Sequence, residues 1–146
     1  MSDQFQVKLD PSSLTRSSTG SITGTLYLSL DTAPFPSREW SDFPVVILPW
    51  WLDALRDLEH VAILKFMDGP YFARVRRLDA ETACLECVTD RARSTVSLSA
   101  SVALDDLRLE VEVAAKSTLR VCYERGWASP DTARLEASLA DFGRLP

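Results

Sequence analysis

Four runs of residues between Ala62 and Val102 are joined by turns too short for any arrangement but antiparallel pairing. Residues 62–67 are apolar and partly β-branched, Asp68-Gly69-Pro70 turns the chain, and residues 71–77 set Tyr71, Ala73 and Val75 against Phe72, Arg74 and Arg76. Asp79-Ala80-Glu81 turns it again into residues 83–89. Residues 95–102 then oppose Val96, Leu98, Ala100 and Val102 to Ser97, Ser99 and Ser101. A period of two describes strands with one buried face, and short connections make successive strands antiparallel neighbours. Such a meander has an apolar face that other elements must cover.

Two earlier strands and three helices supply the rest. Residues 4–9 form a short strand, the turn-rich PSSLTRSSTGS follows, and residues 21–30 alternate Ile22, Gly24, Leu26, Leu28 and Leu30 with polar neighbours. Phe43, Val46, Ile47, Trp50, Trp51, Ala54, Leu55 and Leu58 then mark an amphipathic helix, with Ser41 or Asp42 as N-cap and Pro44 in the first turn. Pro49 costs a regular helix ~3 kcal/mol. Either the helix kinks there, or residues 43–48 are extended and the helix starts at Pro49. From Leu104 a second helical face runs through Leu107, Val111, Ala114, Ala115, Thr118 and Cys122, with Gly126 as C′ residue. Residues 107–113 (LRLEVEV) also alternate, so a strand is the rival reading. A last helix opens at Ser129-Pro130 and carries Leu135, Leu139 and Phe142. The expectation is a single α+β domain over residues 1–146, order ββαββββαα, with helices on one face of a mostly antiparallel sheet. Its core includes Leu26, Leu28, Val46, Ile47, Trp50, Leu55, Val75, Leu98, Leu107 and Leu139.

Composition narrows the function. The chain has 146 residues and a formal net charge of −5, which disfavours direct contact with nucleic acid, whose phosphates need a basic face. No run approaches the ~20 apolar residues that cross a bilayer, and MSDQFQVKLD lacks the basic and apolar regions of a signal peptide. Three cysteines are too few for a disulfide framework, so the expectation is a cytoplasmic protein. Cys84-x-x-Cys87 has redox or zinc-like spacing, yet on a strand the two thiols point to opposite faces. One histidine, His60, gives no triad, and no phosphate-cradling glycine loop occurs. No catalytic, cofactor or metal residue is assigned. A carboxylate pair, Asp42 with Asp68, is the one alternative with hydrolytic chemistry, although an N-cap and a turn already account for each. Arg74, Arg76, Arg77, Arg91 and Arg93 form the basic patch, interleaved with Asp79, Glu81, Glu86 and Asp90, as expected of cross-strand ion pairs.

The excess acid concentrates in residues 39–70, which carry a net charge of −4. Asp53 and Asp57 lie opposite the expected apolar stripe, with Glu59 close by, and Trp40 and Trp51 flank them as aromatic anchors of the kind interfaces favour. These five residues are the expected partner-binding group. A basic, nuclease-like domain fits such a surface, because complementary charge speeds association and sets register.

One pattern is more specific. Phe35-Pro36-x-x-x-Trp40-x-Asp42-Phe43, then Trp50-Trp51, then Phe66-Met67-Asp68-Gly69-Pro70-Tyr71, resembles a family of small bacterial proteins similar to the immunity proteins of contact-dependent and other polymorphic toxin systems. The resemblance implies a non-catalytic protein that binds and neutralises one cognate toxin domain, and it carries no catalytic residues. The alternatives are a small carboxylate-dependent hydrolase or a structural or regulatory protein-interaction module.

Overall fold

The computed structural model describes residues 4–144. The long strand β3 (Ile22–Leu30) pairs antiparallel with four others: β1 (Phe5–Leu9), β2 (Thr15–Arg16), β4 (Ala33–Phe35) and β5 (Ser41–Asp42). Leu28 lies between Val7 of β1 and Phe35 of β4, while Gly24 and Thr25 face Asp42 and Ser41. The meander forms a second sheet in sequence order, β6 (Val61–Lys65), β7 (Tyr71–Arg77), β8 (Thr82–Asp90) and β9 (Ser94–Ala103). Three helices complete the chain, α1 (Pro44–Arg56), α2 (Leu104–Glu124) and α3 (Pro130–Phe142). The class is α+β with the expected order, and the strands divide into two sheets rather than one. The three short strands β2, β4 and β5 are additions to the expected set.

One continuous apolar core joins both sheets to all three helices, and a small satellite of Leu14, Ile22, Val45, Val121 and Cys122 sits beside it. Every residue of the expected α2 face is buried, which settles residues 107–113 as helix. Gly126 takes φ +71°, and Trp127 N–H reaches back to the Cys122 carbonyl at 2.7 Å, closing α2 as a Schellman turn. Ser129 and Thr132 form a reciprocal capping box at the start of α3. On the second sheet Ser97, Ser99 and Ser101 face solvent, as their alternation requires.

The first helix runs from Pro44 to Arg56 with Pro49 inside it, as the first of the two readings has it and against a start at Pro49, and it departs from expectation in two ways. Its N-cap is Phe43, without a side-chain bond, rather than Ser41 or Asp42. Most consequential, the buried stripe is Pro44, Ile47, Leu48, Trp51, Leu52, Leu55, rotated about one residue (~100°) from the expected one. Trp51 is 0 % exposed and Trp50 is 43 % exposed, the reverse of the expected anchor and core roles of the two. Val46 likewise moves to the half-exposed flank, while Leu98 and Leu139 pack at the margin of the core. The physical reason lies in PVVILPWWL, which is apolar around the whole helix circumference, so periodicity alone does not choose a face. A buried indole needs a partner for its N–H. Trp51 finds one in the Lys65 carbonyl at 2.7 Å, in the β6 strand against which α1 packs.

Burial on this scale separates the two tryptophans energetically. Trp51→Ala is expected to lower the unfolding free energy by roughly 3–5 kcal/mol, and Trp50→Ala by less than about 1 kcal/mol. Urea titration followed by far-UV circular dichroism distinguishes them, and equal losses would contradict the assignment of faces.

Candidate functional site

The residues of the F-P-x-x-x-W-x-D-F, W-W and F-M-D-G-P-Y pattern converge on one corner. Asp42, 1 % exposed, collects four N–H donors. Its Oδ1 accepts from Phe43 N at 2.7 Å and Met67 N at 3.2 Å, and its Oδ2 from Trp40 Nε1 at 3.0 Å and Asp68 N at 3.2 Å. A chain of edge-on rings surrounds it. Trp40 meets Tyr71 at 5.1 Å, Tyr71 meets Phe35 at 5.7 Å, Phe35 meets Phe66 at 6.1 Å, and Phe66 meets Trp51 at 5.3 Å. Gly69 adopts φ +79°, and a Cβ there would sit 2.7 Å from the Tyr71 ring. The corner thus ties the first sheet, the start of α1 and the β6–β7 turn together.

This arrangement bears on the carboxylate pair. Asp68 meets Asp42 through its backbone N–H, and its own residue lies on the exposed turn. Four protein N–H donors occupy the roughly four lone-pair positions of the Asp42 carboxylate. The geometry is that of a structural joint.

The expected binding group falls into separate environments. Asp53 is held between α1 and α3, with Arg134 Nη2 at 2.5 Å and Arg56 Nη1 at 3.7 Å. Arg56 also reaches Asp57 at 3.0 Å and Asp141 at 3.3 Å. Its hydrogen bond to Asp57 holds that carboxyl below the usual carboxylate range. Asp141 also pairs with Arg144 Nη1 at 3.6 Å, so three acids share three arginines and the local excess of negative charge is smaller than the sequence suggests. Glu59 is exposed, with no ion pair among the described residues. Trp40 is half-buried, its N–H on Asp42 and its ring on Tyr71. Trp51 is buried, which removes it as a surface anchor.

Two residues outside the expected group take its place. Trp50 projects from α1 one turn beyond Val46, and Met67 is 51 % exposed. Phe43, Val46 and Met67 line a shallow cleft with Ile22 and Val45, closed on one side by Ser129 and Asp131 at the start of α3. An apolar strip of Met67, Phe43, Val46 and Trp50 thereby runs beside Asp131 and continues along α1 to Asp57. Met67 gave no signal in the sequence because it sits between a strand and a turn. Trp50 is conspicuous in the sequence, but its spacing alone places it on the core-facing stripe.

The remaining candidates have structural explanations. Arg74 and Arg76 both bond Glu86, at 3.3 and 2.7 Å, and Arg74 stacks over Phe72 at 5.7 Å, so these two of the five arginines form a cross-strand network, and Arg77, Arg91 and Arg93 stand outside it. The His60 carbonyl accepts from Arg77 N at 2.8 Å where β6 begins. Cys84 and Cys87 lie on opposite faces of β8, and all three cysteines are free. Among the described residues no cluster of three or more His, Cys, Asp or Glu is placed to hold a metal ion, and no helix is long and apolar enough to cross a membrane.

Two outcomes are expected. Asp42→Ala strands four N–H groups and should cost at least about 3 kcal/mol of stability, measured by chemical denaturation; a loss below about 1 kcal/mol would remove Asp42 from its place as the joint. Burial pushes the Cys87 thiol up to about 12 and raises that of Cys122 as well. A disulfide reagent at pH 8 should therefore modify the half-exposed Cys84 first, and the other two at the rate of unfolding. Rapid reaction of all three thiols would contradict that burial.

Compared with known protein families, curated proteins and solved structures, the chain matches none of them.

Proposed function

We propose that this chain is a non-catalytic binding protein of the immunity type, which captures a basic toxin domain through the exposed flank of α1. The observation that carries the reading is Trp50, a large aromatic side chain 43 % exposed on a helix whose other face is locked into the core. Monomeric proteins seldom leave large apolar side chains contiguous and exposed without use, and tryptophan is prominent among residues that dominate interface energetics. Val46 and Met67 extend the apolar area, and Asp57, Glu59 and Asp131 rim it with carboxylates suited to a phosphate-binding, basic surface.

Asp53 is not a useful probe of this surface, because a lysine there would face Arg56 and Arg134 and disturb the α1–α3 contact. Trp50→Ala with Glu59→Lys tests it without touching the core or the ion pairs of Arg56. The immunity reading expects a gene for a large secreted protein immediately upstream; the C-terminal domain of that product is the probe, titrated by calorimetry at physiological salt. Wild type should bind, and the double variant should bind at least tenfold more weakly, about 1.4 kcal/mol, with an unchanged melting curve. Unchanged affinity would relocate the site, and absence of binding by wild type would remove the immunity reading. Capture of a partner that is not a toxin would favour a regulatory interaction module using the same strip.

A further inference from the structure

The sheet edges of this molecule are treated unequally. At β1 the Val7 N–H donates to Glu110 Oε1 of α2 at 2.9 Å, and the Gln4 N–H to Asp31 Oδ1 at 2.9 Å. At β6 the strand has only five residues, ends in a lysine and lies against α1. The other rim of the second sheet is β9, with ten residues, STVSLSASVA, containing neither a charge nor a proline. Natural sheets blunt exposed edges with charges, prolines, bulges, short strands or covering elements. Here the one such device is a bulge opposite Cys87 and Val88, where Ser97 Oγ donates to the Cys87 carbonyl at 3.3 Å. Beyond it the register runs regularly from Leu98 to Ala103.

The ends of this neutral edge carry opposite charge. The β8–β9 turn presents Arg91 and Arg93, both exposed, and the first turn of α2 presents Asp105 and Asp106, also exposed. None of the four takes part in an ion pair among the described residues; Arg91 reaches only the Tyr71 hydroxyl, at 3.4 Å. A second copy laid antiparallel along β9 brings each arginine end against an aspartate end, twice over. A parallel copy would set like charges together.

We propose that β9 is a self-association edge, pairing antiparallel with β9 of a second copy to make a continuous eight-stranded sheet. The charges also select a register. Arg93 and Asp105 each lie six residues from Ser99, so a two-fold axis near Ser99 brings the arginine end of one copy beside the aspartate end of the other. Leu98 then faces Ala100 of the second copy, a pair on one common face as antiparallel register demands, and the bulge at Ser97 limits the regular pairing to the strand centre. Each copy has a net charge of −5, so mutual approach is least opposed where no acid meets an acid. The α1 surface lies at the opposite rim, against β6, and stays free in such a dimer.

Light scattering and sedimentation velocity on the intact chain test this. A single strand pair with two charge clusters is at the small end of specific interfaces, so a dissociation constant on the order of 10 µM is expected, weakening with salt. The observed mass should rise from 16.3 kDa towards twice that value across this range. Arg91→Asp with Arg93→Asp makes both ends of the edge acidic, and Asp105→Arg with Asp106→Arg makes both basic. Each variant alone should lose at least tenfold in self-affinity, and an equimolar mixture should recover a heterodimer. Ser99→Lys, which places two lysines at the axis, should also be monomeric with an unchanged melting curve. It keeps the test decisive if the α2 variant fails to fold. A wild type that stays monomeric well above this range overturns the proposal. So does a dimer that survives both Ser99→Lys and the Arg91/Arg93 reversal.

Discussion

A carboxylate removed from water loses several kcal/mol of hydration unless hydrogen bonds replace it, and that requirement organises the corner around Asp42. Its four donors come from three regions: Trp40 and Phe43 on either side in sequence, and the backbone of Met67 and Asp68 in the β6–β7 turn. The carboxylate holds these segments at fixed distances, and much of the neighbouring geometry follows. Pairing of Asp42 with Gly24 anchors β5 to the first sheet. The Phe43 N–H on the same carboxylate fixes where α1 leaves that sheet. The turn donors bring the second sheet to meet it. Aromatic edges fill the remaining space, and Gly69 is required because a side chain there would meet the Tyr71 ring.

The orientation of α1 is a second decision made by a polar group inside an apolar setting. Hydrophobic burial is non-directional, and this helix offers apolar side chains on nearly every side. An indole N–H cannot be buried on those terms. Turning Trp51 inward satisfies it at the Lys65 carbonyl, and the same rotation leaves Trp50 outside. The two internal prolines suit this position. Pro44 occupies the first turn, where its missing donor costs nothing, and Pro49 contributes a buried apolar ring.

Where a regular period ran long enough, the fold was legible in the residues. The α2 face, the glycine closing that helix, the Ser129-Pro130 start of α3 and the four strands of the meander all emerged from spacing and end signals. Strands of two or three residues carry no period, which is why β2, β4 and β5 and the division into two sheets were not visible. Nor does alternation register a bulge: Val96 was expected inward with Leu98, but the extra residue at Ser97 turns it outward, 45 % exposed. The candidate site was half legible for a related reason. Its acids were apparent in the local charge, but Arg134, which neutralises Asp53, lies 81 positions away. No local count of charges reveals such a partner.

The F-P-x-x-x-W-x-D-F, W-W and F-M-D-G-P-Y pattern has an inner and an outer set of residues. Phe35, Asp42, Trp51 and Phe66 are buried and hold the corner together. Trp50 and Met67, adjacent in sequence to two of these, reach solvent. Neighbours on a helix or at a strand end must point in different directions, so fixing the inner member also fixes where the outer one is displayed. Binding loses affinity to the ordering of side chains and loops, and a surface already held by a packed core loses least. The buried carboxylate and the buried indole thus do more than stabilise the joint, because the positions of Trp50 and Met67 depend on them. A change at Asp42 would disturb the displayed strip without any direct contact, whereas a change at Glu59 would alter its charge and leave its shape intact.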